Sequence, residues 1–275
     1  MARHSNRFDP RRQKGFTAIA TFCFIVLYLP IVLMVIFSFN GSSALTSWAG
    51  FSLDWYVAAW HNDTVQAATL RSLAIAAVAT VVSTSVAVLA ALAMGRGKTF
   101  RGRSTMFALI NQPLMVPEIV TAVSLLVVFA WIKTRTGYSG LGYLILAHSA
   151  FCIPFAFMPV RARLQGMDQT LEQAAADLYA SPWRTFRRIT FPLLWPGILA
   201  GATLAFVTSL DDVVITEFVK SAGQDTLPTY MLGQMRRSLT PETNAIATVL
   251  FVISVVLVVV FFLISRENHT KTNHS

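Results

Sequence analysis

The sequence predicts an all-α, polytopic membrane protein with six transmembrane helices, and three observations carry that prediction. Of 275 residues, 55% are hydrophobic and only 13% charged, with a mean hydropathy of +0.58. A soluble domain places about a quarter of its residues in Asp, Glu, Lys and Arg, so an ordinary soluble enzyme is excluded. Six windows of the length a spanning helix needs carry few or no charges, at approximately 16–37, 72–94, 105–131, 140–160, 193–219 and 244–265. The surplus of 22 Lys+Arg over 13 Asp+Glu, which in a soluble chain would suggest nucleic acid, is unevenly shared between alternate loops.

The division is a basic tail over 1–15, one permeation domain over 16–265 and a short tail over 266–275. The first span belongs to an uncharged stretch from Gly15 to Leu53 that follows Arg3, Arg7, Arg11, Arg12 and Lys14. Its apolar run exceeds the roughly 7–15 residues of a signal peptide's core and no Ala-x-Ala follows directly, so it reads as an uncleaved helix. The amino-terminal tail, the 95–104 loop, the 161–192 loop and the carboxy-terminal tail hold 16 of the basic residues, and the remaining loops hold 6. By the positive-inside rule both termini are cytoplasmic, and the basic balance needs no nucleic acid. Outside, Phe51, Leu53, Trp55, Tyr56 and Trp60 suit either a segment at headgroup depth or a surface for a partner, as does the polar 220–243 loop.

Within the spans, charge is expensive, and the exceptions are informative. Glu118 lies in the third span just after Pro113 and Pro117, which remove backbone donors and open the helix. Asp211 and Asp212 lie inside the fifth, about 100° apart on a continuous helix. Two readings stand for these carboxylates: pairing with polar groups and backbone amides of neighbouring helices, or lining a pathway for a cation. Glu217 is near the outer end of its span. His148 reads as a hydrogen-bonded packing residue, Gly197 and Gly201 as a small-xxx-small contact, and Pro30, Pro154 and Pro159 as kinks. Cys23 and Cys152 sit in apolar runs, with neither disulfide nor zinc spacing. Gly97-Lys98-Thr99 resembles the end of a phosphate loop, but Leu92 stands where the first glycine belongs and the tripeptide follows a membrane helix. No catalytic or metal-binding constellation is visible.

The loop between spans four and five is the most specific stretch. Thr170 and Gln173 have the spacing of a capping box, so a short helix is predicted to begin at Thr170. Ser181 followed by Pro182 marks a second start, and Pro192 the entry to span five. Two short cytoplasmic helices with a bend near Tyr179-Ala180 follow. Their polar residues, Glu172, Asp177, Arg184, Arg187 and Arg188, suit docking on a soluble protein.

Glu172-Gln173-Ala174-Ala175-Ala176-Asp177-Leu178-Tyr179-Ala180-Ser181, continuing through Phe186, Ile189 and Phe191-Pro192, resembles the EAA loop, here 170–192, of permease subunits of binding-protein-dependent ABC importers. The stretches 113–121 and 209–216, Thr226-Leu227-Pro228, Pro241-Glu242 and 244–248 resemble the spermidine/putrescine branch, most closely its second, smaller permease subunits. The resemblance implies the type I ABC importer permease fold in the bacterial inner membrane. It also implies two copies of an ATP-binding subunit that hold ATP and Mg, a second permease subunit forming a heterodimer, and a periplasmic polyamine-binding protein. No cofactor is expected in this chain. Glu172, Ala175, Ala176, Asp177, Tyr179 and Ala180 would form the ATPase-coupling segment, and Glu118, Asp211 and Asp212 the substrate pathway. The family usually has Gly at the position of Tyr179, where a bend calls for positive φ. A permease for another cationic or metal-bound solute, a secondary transporter or channel, and an intramembrane enzyme are the competing readings. A self-contained channel has no need of a capped docking loop, and the enzyme lacks a catalytic constellation.

Overall fold

The computed structural model describes residues 14–43, 47–96, 100–237 and 240–271, without the side chains of 14, 261, 262 and 264–271. Gly97-Lys98-Thr99 and most of the two basic tails lie outside the described residues. Among the described residues, regular structure is helical apart from one isolated bridge between Asn40 and Phe51, and six helical segments are long and apolar enough to cross a membrane.

Two compact units are distinguished, 1–61 with 234–250 and 62–233 with 251–275. The first contains α1 (Lys14–Phe37), α2 (Asp54–His61), the described residues between them and the first turns of α12 (Pro241–Lys271). None of the spanning window of α1 is buried, as expected for a helix apolar all round that faces lipid or another chain. The loop after it is built on Asn40, whose Oδ1 accepts from Ser42 and Ala49 amides and whose Nδ2 donates to Ser47 carbonyl. Trp55 Nε1 donates to Asn40 carbonyl and Tyr56 hydroxyl meets Ser38 Oγ. Backbone groups that a connector would leave to water are thus paired locally.

The second unit contains α3 (Asp63–Gly95), α4 (Arg103–Met115), α5 (Glu118–Thr136), α6 (Gly142–Gln165), α7 (Thr170–Asp177), α8 (Pro182–Thr185), a π-turn (Phe186–Thr190), α9 (Phe191–Asp211), α10 (Val214–Val219), most of α11 (Leu227–Arg237) and the rest of α12. α3 starts where Asn62 Oδ1 accepts from the Thr64 and Val65 amides. Its buried face is small, with Ala68, Ala76, Ala79, Ala87 and Ala91, and packs against α6 and α9. α6 and α9 approach closely because Gly201 lies against the backbone of Ala156, where an added Cβ would sit 2.5 Å from the carbonyl oxygen. Gly197 similarly faces Arg163 Cβ and Pro159 carbonyl. Without a hydrophobic drive between helices in lipid, such close approach is what holds them together.

Two expected spans are broken. The third is not one helix over 105–131: Pro117 lacks an N–H and pushes Val116 to an extended conformation, φ −103 and ψ 138. α4 therefore ends at Met115 and the crossing segment is α5. The fifth is continuous from Pro182 to Asp211 but stops there, Asp212 being extended at φ −61 and ψ 131, and α10 is a separate turn. Asp211 and Asp212 are thus not neighbours on one continuous helix. Arg71, one of the 6 basic residues counted above with the remaining loops, lies inside α3 and donates to the Asp225 carbonyl.

Candidate functional site

The two helix breaks meet, since α5 packs on α10. At the second break Asp212 does the work of a helix cap. Its Oδ1 accepts from the Ile215 amide at 3.3 Å, and its Oδ2 from the Thr216 amide at 2.9 Å and the Thr216 hydroxyl at 2.8 Å. With that hydroxyl proton committed, Thr216 Oγ1 can only accept from His148 Nε2, 2.9 Å away, so this nitrogen carries the proton. His148 Nδ1 lies 2.8 Å from Ser209 Oγ. His148, Ser209, Asp212 and Thr216 are all buried, and they fasten α6, the end of α9 and the start of α10 into one polar knot.

The other two carboxylates face this knot without belonging to it. Glu118, at the first turn of α5, is half-buried and lies within the electrostatic reach of Asp212 and of Asp211. Asp211, the last residue of α9, is exposed. The structure therefore brings all three acids together at a pair of interrupted helices. It also separates them into a capping group, Asp212, and two less confined groups, Glu118 and Asp211. Irregular backbone within a membrane is tolerated where it lines a cavity or is buried in protein, and in transporters it marks ion and substrate sites. Among the described residues no His, Cys, Asp or Glu cluster has the arrangement to hold a metal ion.

The α7–α8 segment forms the second candidate surface. α7 begins as expected, but the capping box is not made: Asp168 takes both the Thr170 amide, at 2.9 Å, and the Thr170 hydroxyl, at 2.8 Å. The amide and then the hydroxyl hold Asp168 below the usual carboxylate range, and this charged acceptor takes the Thr170 amide that the Gln173 side chain would receive in a capping box. The helix ends with the Ala180 amide on the Ala175 carbonyl at 3.0 Å and the Tyr179 amide on the Ala176 carbonyl at 2.9 Å. This is the Schellman pairing, which needs a left-handed residue, and that residue is Tyr179 at φ 56. Among the described residues no other non-glycine has positive φ. Ser181 Oγ then accepts from the Arg184 amide, opening α8 as expected.

The outward face of this hairpin is apolar: Tyr179 is 97% exposed, Leu178 82%, Trp183 69% and Leu171 49%. Asp177 and Ala176 are exposed, Ala180 is intermediate and Ala175 is buried against its own chain. Glu172 also turns inward. Its Oε2 lies 2.9 Å from Arg96 Nε, at the end of α3, and its Oε1 accepts from Thr190 Oγ1 at 2.8 Å. Ala175 and Glu172 are thus not on the outward face expected of them, because an eight-residue helix lying on the span ends must bury one side.

At the other end of α3, a cavity of about 300 Å³ is lined by Asp63, Thr64, Ala67, Ala68, Arg71, Gly223 and Asp225. Beside it Lys220 Nζ donates to Glu217 Oε2 and to Asp225 Oδ1, both at 2.6 Å. Burial opposes the charged amine, but Asp225 and Glu217 together outweigh it and hold Lys220 above the usual lysine range.

Residues 86–269 match the family described as binding-protein-dependent transport system inner membrane component. The chain belongs to this family. It is a multi-pass inner-membrane permease. It is 39% identical over 251 residues to the spermidine/putrescine transport system permease protein PotC of Haemophilus influenzae, covering 90% of this chain and 96% of that one. It is 36% identical to the putrescine transport system permease protein PotI of Escherichia coli, covering 90% of each. Among solved structures, a bacterial ABC transporter for the acidic polysaccharide alginate superposes with a TM-score of 0.72 at 16% identity, over 94% of this chain and 97% of that one. The MetNI methionine ABC transporter superposes at 0.61 and 17% identity, over 73% and 94%. These two likenesses show that the permease has the fold of ABC transporter membrane subunits.

Sequence reasoning missed Arg96, Thr190, Ser209 and Thr216. Only Thr216 carried a signal, an Asp four residues earlier at a helix start; the others act across long separations that no local pattern reports.

Proposed function

We propose that this permease is one of two transmembrane subunits of an ATP-driven importer that moves a polyamine, putrescine or spermidine, from a periplasmic binding protein into the cytoplasm. In this reading both termini are cytoplasmic, the second permease is a different chain, and two copies of an ATP-binding subunit hold ATP and Mg and dock on α7–α8. Support for the orientation comes from the basic residues at that end, Arg184, Arg187 and Arg188. Support for docking comes from the outward apolar face of Leu178, Tyr179 and Trp183.

The observation that carries the substrate class is the gathering of Glu118, Asp211 and Asp212 at two helix breaks. A polyamine has two or more positive charges, and crossing lipid strips their hydration, which acceptors and negative charge must replace. Asp212 spends its oxygens on backbone and hydroxyl donors, so Glu118 and Asp211 are the groups left to meet an ammonium. The polyamine relatives named above support the same class.

The test is uptake of labelled putrescine and spermidine into proteoliposomes holding the complete complex. Glu118→Gln and Asp211→Asn each lower uptake about tenfold, equivalent to roughly 1.4 kcal/mol of lost charge stabilisation, while the complex still assembles. Wild-type uptake by both variants would remove these residues from the pathway. Uptake without ATP by the wild type would favour a secondary transporter.

A further inference from the structure

Glu172 stands in the middle of α7, and its two oxygens address two different spans. Oε2 pairs with Arg96 at 2.9 Å, and Arg96 is the residue on which α3 ends, its amide bonded to the Leu92 carbonyl. Oε1 receives the hydroxyl of Thr190 at 2.8 Å, and Thr190 is the buried last residue of the π-turn that runs without interruption into α9. Nearby, Arg163 Nε donates to the Leu193 carbonyl at 2.9 Å, fastening the end of α6 to the start of α9. The paired side chains of Arg96 and Glu172 are only 19% and 20% exposed, and among the described residues neither Nε nor Nη2 of Arg96 makes a hydrogen bond, so the two are held as an ion pair by proximity. Glu172 is therefore the counter-charge that makes burial of this guanidinium tolerable, and removing it leaves an enclosed charge unpaired. A cation at the last turn of α3 is also favoured by the helix dipole.

We propose that Arg96, Glu172 and Thr190 form an internal strut by which α7 and α8 move α3 and α9 together, and that Arg96 is a positioning residue for energy coupling. The proposal rests on the importer reading above. On this view the ATP-binding subunit grips the outward side of the hairpin, Leu171, Leu178, Tyr179 and Trp183, while Glu172 on the inward side passes displacement to the spans. The apolar grip and the charged strut occupy opposite faces of one short helix pair, so each can be broken without the other. The π-turn between α8 and α9 adds to the argument, since π-bulges occur frequently at functional sites within helices.

The experiment uses the complete complex, with this permease carrying Arg96→Gln, Glu172→Gln or both. Three quantities are read: retention of the ATP-binding subunit through gel filtration, ATP hydrolysed when loaded binding protein is added, and polyamine moved per ATP in proteoliposomes. Each single variant keeps the ATP-binding subunit and continues to hydrolyse ATP, while polyamine moved per ATP falls roughly tenfold, within the range of coupling between sites. The double variant is no worse than either single one, because both break the same connection. Thr190→Val, which removes one hydroxyl with little change of shape, lowers the ratio in the same direction and serves if loss of the charge pair prevents assembly. Release of the ATP-binding subunit by Glu172→Gln but not by Arg96→Gln would make Glu172 a docking contact and overturn the strut. So would wild-type coupling in Arg96→Gln, or multiplied losses in the double variant. Failure of the importer reading looks different: the wild-type permease would retain no ATP-binding subunit, or would transport without ATP.

Discussion

Two of the permease's helix interruptions, at Asp212 and at Tyr179, are closed by opposite means. At Asp212, inside the spans, the break is closed by a buried carboxylate that satisfies two amides and a hydroxyl, with His148 and Ser209 completing the chain. At Tyr179 the break is closed by backbone pairing that forces a bulky residue to φ 56 with its ring in the open. The first break is complete in itself: its polar groups have partners within the chain. The second is satisfied in its backbone only, and it offers apolar side chains that nothing among the described residues covers. A self-satisfied break makes a fixed point in the membrane, and an apolar exposed one makes a surface for another molecule.

The hardest way to break that contrast is Asp212→Ala. Three donors lose their acceptor inside the protein, each worth about 1–3 kcal/mol, so a loss of about 3 kcal/mol or more is expected in thermal unfolding of the detergent-solubilised permease. An unchanged melting temperature would mean that Asp212 is not the cap it resembles. The exposed Asp211 next to it should tolerate Asn with no measurable loss, which separates the structural carboxylate from the pathway one.

A smaller effect is expected where helices touch without polar groups. Gly201→Ala sets a methyl group 2.5 Å from the Ala156 carbonyl oxygen, and 3.1 Å from its Cα, so α6 and α9 must part at a cost of about 1–3 kcal/mol. Gly233, in α11, has open space around its added Cβ, and Gly233→Ala should stabilise by about 0.5–1 kcal/mol through helix propensity. Equal melting temperatures for the two variants would show that close packing at Gly201 is unimportant.

Much of this architecture was legible in the sequence because lipid imposes a simple rule: apolar length marks a crossing. The breaks were half legible. Pro117 announces the break between α4 and α5, since a proline constrains the residue before it wherever it stands. Asp211-Asp212 reads as part of a continuous helix, because the local sign of a cap, Thr216 four residues after Asp212, does not by itself separate a capping carboxylate from one that sits in a helix. Asp212 is confined by its neighbours Ile215 and Thr216, but the burial of that cap depends on His148, brought in by the packing of α6 on α9. The α7–α8 hairpin was legible through Ser181-Pro182 and the bend at Tyr179. The side on which Glu172 falls was not, since that depends on Arg96 at the end of α3. Local chemistry writes helix ends into the sequence; the direction of a charged side chain is decided by its distant partner.

The smallest expected effect is also the one that sharpens the comparison most. Tyr179 holds a conformation that is unfavourable by about 1–2 kcal/mol for an L-residue with a side chain, and at 97% exposure its ring gains no compensating burial among the described residues. Gly adopts positive φ freely but loses more entropy on folding, so Tyr179→Gly should raise the stability of the isolated permease by no more than about 1 kcal/mol. If the ring were merely an unfavourable choice, the variant would bind the ATP-binding subunit as well as the wild type does. If the ring belongs to the docking face, the variant gains stability and loses affinity together, read as a higher melting temperature and a weaker complex in the same preparation. Opposite signs in those two measurements require that the strain be offset by a contact in the assembled complex. A fall in both would instead mean that the ring stabilises the free hairpin.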